Sequence, residues 1–238
     1  MERLDRFLAS AGYGTRSEVK KYIRSGRITI NGIPELHPER KVEGSEQILL
    51  DDHQVMKAPE TVYYLMNKPA GVITATEDRR EKTVLDLLPQ DLPGLTQSRR
   101  KKLFPVGRLD KDTEGLLLIT DDGEMAHDLL SPSKHVEKEY YARLAGPLCG
   151  DAEERFRAGM DIGDDKPTKP AVLVRLSESE VKIILHEGRF HQVKRMIEKC
   201  GSRVTYLKRI RMGDFILPDN LPPGECIAIK PKEEPSQA

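Results

Sequence analysis

An α+β fold in two unequal parts is what this 238-residue sequence predicts, and three observations carry the prediction. Apolar residues recur at helical spacing between Leu4 and Ile23, amid many basic ones. A stretch of mixed polarity with a proline, "MKAPET" at 56–61, interrupts that pattern. Beyond it, strand-like runs arrive in clusters, without the regular strand–helix alternation of a doubly wound sheet. The boundaries expected from these changes are a small module over 1–58, a linker over 59–61, a larger α+β domain over 62–232 and a polar tail over 233–238.

In the module, "LDRFLASAG" sets Leu4, Phe7, Leu8 and Ala11 on one helical face, and Gly12 and Gly14 end the helix. "TRSEVKKYIRSG" follows, with Thr15 and Glu18 at the capping-box spacing and Gly26 as the stop. Val19, Tyr22 and Ile23 form its inner face, which turns Arg16, Lys20, Lys21, Arg24 and Arg27 outward. "RITING" then alternates as a strand into an Asn31–Gly32 turn. In the larger part, "VYYLMNKPAGVITAT" reads as strand, Pro-Gly turn and strand, and "LLLIT" and "VKIILHEG" as further strands. "DDGEMAHDLLS" is a turn into a short helix, and "FHQVKRMIEKCG" is a helix stopped by Gly201. The tail, "KPKEEPSQA", has the composition of a disordered segment.

Charged residues make up 33% of the chain and cancel to a formal net charge of zero, so no global basic signal points to nucleic acid. The local balance is different. Arg3, Arg6, Arg16, Lys20, Lys21, Arg24 and Arg27 face only Asp5 and Glu18 in the first stretch. From His186 to Arg211 the bases again far outweigh Glu187 and Glu198, and "SRRKK" at 98–102 adds a third run. Such segregation suits an RNA or DNA footprint, against the plainer reading of a solvated helix face. Cys149, Cys200 and Cys226 are odd in number and widely spaced, which suggests neither a zinc site nor a disulfide framework. "MERLDRFLAS" is charged from its second residue, unlike a signal peptide's core. No apolar run approaches the roughly 18 residues that span a bilayer. A cytoplasmic protein with no membrane partner is expected.

"GRLDKDTEGLLLITDD" at 107–122 packs carboxylates around one apolar run. Asp110, Asp112, Glu114, Gly115 and Asp121 fall at positions 1, 3, 5, 6 and 12 of an EF-hand loop. The preceding "KLFPVGRL", however, carries a proline and a glycine where that loop needs a helix, and Leu118 stands at position 9. Calcium is therefore rejected, and no metal is expected. A surface turn is the default for "DKDTEG" in isolation. Its context argues for more, because Arg108 lies two residues from Asp110, Gly107 and Gly115 permit close backbone approach, and a buried strand follows. A carboxylate on a loop held by a core strand is rigidly placed, as catalysis asks.

These residues also resemble a known family. "GRLDKDTEGLLLITDDG" looks like the catalytic motif of the pseudouridine synthases. The likeness continues in family order through "LMNKPAGVI" (65–73), "EKEYYARL" (137–144), "TKPA" (168–171) and "EGRFHQVKRM" (187–196). The N-terminal "RLDRFLA…TRSEVKKYIRSGRITING" resembles the alpha-L RNA-binding module of a small-subunit ribosomal protein. Together they are most similar to the RsuA type of ribosomal RNA pseudouridine synthase (the RsuA/RluB/RluE/RluF family). The resemblance implies an alpha-L RNA-binding domain followed by an α+β catalytic domain with a mixed, mainly antiparallel sheet. It implies an isomerase that converts a specific uridine of small-subunit (16S) ribosomal RNA to pseudouridine, without a cofactor. The expected partner is ribosomal RNA or a ribosomal subunit assembly intermediate, met by a monomer. A related synthase for large-subunit RNA, a non-catalytic assembly factor and a carboxylate glycosidase are the rival readings.

The chemistry needs few groups. A glycosidic carbon–nitrogen bond breaks, the uracil turns, and it rejoins through carbon 5 with no redox change and no group donor. The resemblance puts Asp110 at the ribose, as nucleophile on carbon 1′ or as base for the 2′ proton. A nearby cation favours the charged carboxylate, and the "HQVKRM" motif gives that place to Lys194, with Arg195 as the neighbouring alternative. The family's Lys-x-Tyr spacing selects Tyr140 over Tyr141 to stack on the detached uracil, since successive strand residues face opposite ways. Arg108 is expected to hold a flanking phosphate or fill the space left by the flipped nucleotide. Arg189, His191, Gln192 and Arg195 are expected to bind RNA around the site. Arg3, Arg16, Lys20, Lys21, Arg24 and Arg27 are expected to bind it along the N-terminal module.

Overall fold

A computed structural model describes residues 1–43, 45–55 and 61–230. Most of the linker expected at 59–61, and all of the polar tail expected at 233–238, lie outside the described residues. The chain divides into two compact units, one formed by Met1–Val62 with Gln90–Lys102 and the other by Tyr63–Pro89 with Leu103–Ala238.

The first unit is built from short elements: β1 (Glu2–Arg3), α1 (Leu4–Ser10), α2 (Arg16–Arg24), β2 (Ile28–Ile30), β3 (Ile33–Pro34), β4 (Lys41–Val42), β5 (Ile48–Leu50), β6 (His53–Gln54) and α3 (Gln97–Arg100). Local chemistry sets their ends. Thr15 Oγ1 accepts from the Glu18 amide at 3.3 Å while the Glu18 carboxylate accepts from the Thr15 amide at 2.7 Å, closing the capping box of α2. Asn31 and Gly32 both take positive φ (51° and 80°), as a two-residue hairpin requires, and Ile30 pairs with Ile33 across them. Leu4, Phe7 and Leu8 of α1, Val19 and Ile23 of α2, and Ile28, Ile30 and Ile48 of the sheet form one buried core. Each such side chain contributes roughly 1.5–3 kcal/mol by leaving water, and that burial holds so small a unit together.

The second unit carries one mixed sheet. Its strands are β7 (Tyr63–Lys68), β8 (Phe104–Val106), β9 (Glu114–Thr120), β10 (Lys138–Leu144), β11 (Val172–Arg175), β12 (Glu180–Leu185), β13 (Val204–Met212), β14 (Phe215–Ile216) and β15 (Cys226–Ile229). They run in the order β11-β12-β10-β13-β9-β7-β15, with β14 beside β13 and β8 beside β9. Every one of these pairings is antiparallel except that of β13 with β9. The parallel seam is short, with Lys208 opposite Glu114 and Arg209 opposite Gly115, and it demands a glycine. A Cβ on Gly115 (φ 104°) would stand 2.2 Å from the Arg209 carbonyl oxygen. From Gly115 to Thr120 every residue of β9 is buried, as in a strand covered on both faces. Three α-helices lie against this sheet among the described residues: α4 (Gly123–Leu130) against β8, α5 (Ala152–Ala158) against β11, and α6 (Gln192–Lys199) against β13. Asp122 caps α4 by accepting from the Glu124 and Met125 amides, and Gly201 (φ 85°) follows the end of α6.

One expected strand does not form. After β7 the chain turns through Pro69–Gly71, and the segment beyond makes only an isolated bridge, Ile73 to Thr83, among the described residues. The cause is a side chain. Thr74 Oγ1 donates to the Leu109 carbonyl at 2.8 Å and accepts from the Leu109 amide at 3.2 Å, which commits this segment to the loop before β9 rather than to a ladder.

Candidate active site

The loop between β8 and β9 is held from inside. Lys68, the last residue of β7, is fully buried. Its Nζ donates to the carbonyl oxygens of Thr113 (2.9 Å), Pro69 (3.0 Å), Asp110 (3.1 Å) and Lys111 (3.4 Å). The Gly71 amide reaches the Lys111 carbonyl at 2.7 Å, and Thr74 grips Leu109. Backbone on both sides of Asp110 is thus pinned while its carboxylate remains 27% exposed. Burial pulls the Lys68 ammonium down to about 8, with Asp112, Asp110 and Glu114 pulling the other way.

The carboxylate meets α6. Lys194 Nζ lies 3.2 Å from Asp110 Oδ2 and 2.6 Å from Asp112 Oδ1. His191, just before the helix, brings Nε2 to 3.7 Å from the same Asp110 oxygen. Burial alone lowers the Lys194 pKa, but Asp112 and Asp110 outweigh it and hold the ammonium above the ordinary lysine value. Burial likewise raises the Asp112 carboxyl, and Lys194 reverses the effect and keeps it below the usual carboxylate range. A charged ammonium therefore occupies the point where Asp110 and Asp112 converge. Glu114 looks elsewhere, accepting from the Tyr206 hydroxyl at 2.8 Å. Burial, then Glu114, pushes that phenol up to about 12.

His191 reaches Asp110 from a left-handed backbone (φ 50°), a conformation that costs a non-glycine residue about 1 kcal/mol. The turn that imposes it is tied at several points. The Arg189 amide donates to Gln192 Oε1 at 3.0 Å, and Gln192 Nε2 donates to Glu187 at 2.9 Å. The Arg189 guanidinium donates to Glu187, Asp164 and the Lys166 and Pro167 carbonyls. Arg195 donates to Asp164 and to the carbonyls of Ile162 and Phe190. Three residues expected to bind RNA, Arg189, Gln192 and Arg195, thus have donors committed to the turn that carries His191.

The other expected residues are more dispersed. Tyr140 is buried on β10 opposite Arg209, and its hydroxyl makes no hydrogen bond among the described residues. Arg108 is exposed. In the first unit, Arg3, Arg16 and Lys20 gather around the buried Asp5 at 3.1, 3.8 and 3.7 Å. Arg27 pairs with Asp51 and lies 4.4 Å over the Tyr22 ring, while Lys21 and Arg24 are exposed. The sequence reading did not single out Lys68, although a signal existed. A lysine that closes an apolar strand is a buried charge in need of partners.

A partly exposed carboxylate on a loop, braced by a charged lysine from a helix, has the chemistry of a nucleophile or a base, and the same chain carries a basic module. Comparison with known proteins gives the family: the chain belongs to the RNA pseudouridylate synthases, whose model matches residues 62–199, and residues 2–48 match the S4 domain. It is 41% identical over 236 residues to the uncharacterized RNA pseudouridine synthase YtzG of Bacillus subtilis (strain 168), covering 97% of this chain and 96% of that one. It is 36% identical over 232 residues to ribosomal small subunit pseudouridine synthase A of Escherichia coli (strain K12), covering 97% of each. Among solved structures, a crystal structure of a pseudouridylate synthase matches with a TM-score of 0.65 at 35% identity, over 97% of this chain and 96% of that one. The protein is accordingly an isomerase with the two-part α+β fold that the motifs implied.

Proposed function

We propose that this synthase isomerises a uridine of small-subunit ribosomal RNA, with Asp110 as its catalytic carboxylate and no cofactor. The observation that supports this most is the 3.2 Å Asp110–Lys194 pair on a loop whose backbone is held by Lys68. Relatives named for the small ribosomal subunit match nearly the whole chain, which favours that RNA over large-subunit RNA. In the reaction the bond from N1 to carbon 1′ breaks with its electron pair on the uracil. Asp110 forms an ester at carbon 1′ or takes the 2′ proton; the uracil turns, and a bond forms from carbon 5 to carbon 1′ as the ester breaks or the 2′ proton returns. Carbon 5 then loses its proton and N1 gains one. Lys194 offsets the carboxylate's charge as RNA phosphates approach. Tyr140 stacks on the turning base and offers its hydroxyl near carbon 5, and Arg108 takes a flanking phosphate or the vacated space. The protein works as a cytoplasmic monomer, on free ribosomal RNA or on a subunit assembly intermediate.

Pseudouridine mapping in ribosomal RNA from a deletion strain tests this reading. One small-subunit site should vanish, returning with the wild-type protein but not with Asp110→Asn. Loss of a large-subunit site instead would overturn the choice of RNA. Restoration by Asp110→Asn would overturn the assignment of the carboxylate.

A further inference from the structure

Beside the catalytic carboxylate stands a ring that the proposed chemistry does not use. Phe190 is 76% exposed, yet it is not loose. Its ring lies on the His191 imidazole with centroids 3.8 Å apart and planes 17° from parallel, and Arg195 holds its carbonyl oxygen. His191 in turn sits 3.7 Å from Asp110 through Nε2. With one face on the imidazole and three-quarters of its surface open, the ring presents its other face to solvent next to the site. A phenyl group has nothing to offer a phosphate. It does have a flat apolar face, which any nucleobase can cover.

Flipping a uridine out of structured RNA leaves its neighbour without a stacking partner. We infer that Phe190, backed by His191, is a stacking platform for one unpaired base of the RNA adjoining the target uridine. This inference rests on the synthase reading above. The platform recovers stacking lost when the uridine leaves, and it does so whatever the identity of that base. His191 thereby has two roles, supporting the ring on one side and facing Asp110 on the other.

The test uses the full-length protein with deproteinised small-subunit and large-subunit ribosomal RNA, assayed separately for binding at several salt concentrations and for pseudouridine. Phe190→Ala should weaken binding to the isomerised RNA by about five- to a hundredfold. Phe190→Tyr should restore it, and Phe190→Leu, apolar but without a π face, should not. The salt dependence of all four proteins should be the same, because no charge is touched. With 2-aminopurine next to the mapped uridine, wild type and Phe190→Tyr should quench its fluorescence on binding, and Phe190→Ala should not. Melting temperatures check that the variants fold, as an exposed side chain should allow. Wild-type binding and quenching by Phe190→Ala, or by Phe190→Leu, would overturn the platform. Pseudouridine in the large-subunit RNA alone would overturn the small-subunit reading instead, with Phe190 then judged on that RNA.

Discussion

Around Asp110, one buried lysine, four carbonyl oxygens and a second lysine hold a single acid in place. In the first unit, Arg3, Arg16 and Lys20 share the buried carboxylate of Asp5, and Lys21 and Arg24 stand in solvent. The hydrogen bond from Arg3, followed by the charges of Arg16 and Lys20, keeps the Asp5 carboxyl below its usual range. That cluster therefore retains an excess of positive charge. Bond making needs a group fixed to a fraction of an ångström, and interior hydrogen bonds supply that precision. Docking on a polyanion needs net charge at a surface, where single ion pairs contribute about 0–1 kcal/mol and flexible side chains serve well. Substitutions should therefore act abruptly in one region and by small steps in the other.

The sharpest break is Asp110→Asn, which removes the charge and almost no volume. Single-turnover isomerisation should fall on the order of 10⁴-fold, with RNA affinity and melting temperature little changed. Next is Lys68→Met, which leaves carbonyl acceptors without a donor. Turnover should collapse, and stability should drop by roughly 3 kcal/mol, read as a lower denaturation midpoint.

Lys68 also predicts a pH dependence. Folded, its pKa is about 8, against the 10.5 of an ordinary lysine. Between these values the unfolded chain binds more protons, so this group's contribution to stability rises with pH. The cradle, however, loses a donor as the ammonium deprotonates. Turnover should decline as pH passes about 8, without a matching decline in melting temperature from this group. A decline in both together would contradict the separation.

Smaller effects follow at the margins of each region. Asp112→Asn should change turnover by only about two- to fivefold, since its carboxylate is 71% exposed and Lys194 keeps Asp110. Lys21→Ala and Arg24→Ala should leave turnover at saturating RNA unchanged. Each should flatten the log–log salt dependence of binding by roughly 0.7–0.9 if it contacts a phosphate. An unchanged slope would mark that cation as merely solvated.

What was legible in the sequence was local. The Thr15–Glu18 capping box, the Asn31–Gly32 hairpin and the buried run of β9 each depend on residues a few positions apart, and all three stand in the structure. The motif containing Asp110 and the one containing Lys194 were visible separately, and their resemblance to a family joined them. Three features were not visible because they depend on contacts distant in sequence. Lys68 serves carbonyls as far away as Thr113, and the close backbone approach expected at Gly115 is made to Arg209, a partner the sequence did not name. Thr74 leaves its expected strand for Leu109. The basic residues of "EGRFHQVKRM" pose the opposite problem: charge alone does not tell a guanidinium that meets RNA from one that ties a turn, as Arg189 and Arg195 do.

Lys194 has two carboxylates within reach, and on the proposed reading only one of them reacts. Asp110 then gives up its charge for part of every turnover, whether as an ester or by taking a proton. An ammonium only 20% exposed, if left alone at that moment, would need water to move in or a proton to move out. Asp112, at 2.6 Å, keeps it company throughout. The second aspartate is a counterweight: it lets the charge on its neighbour come and go while the surroundings of the lysine stay nearly still, so that each catalytic cycle begins and ends without rebuilding the solvent around the site.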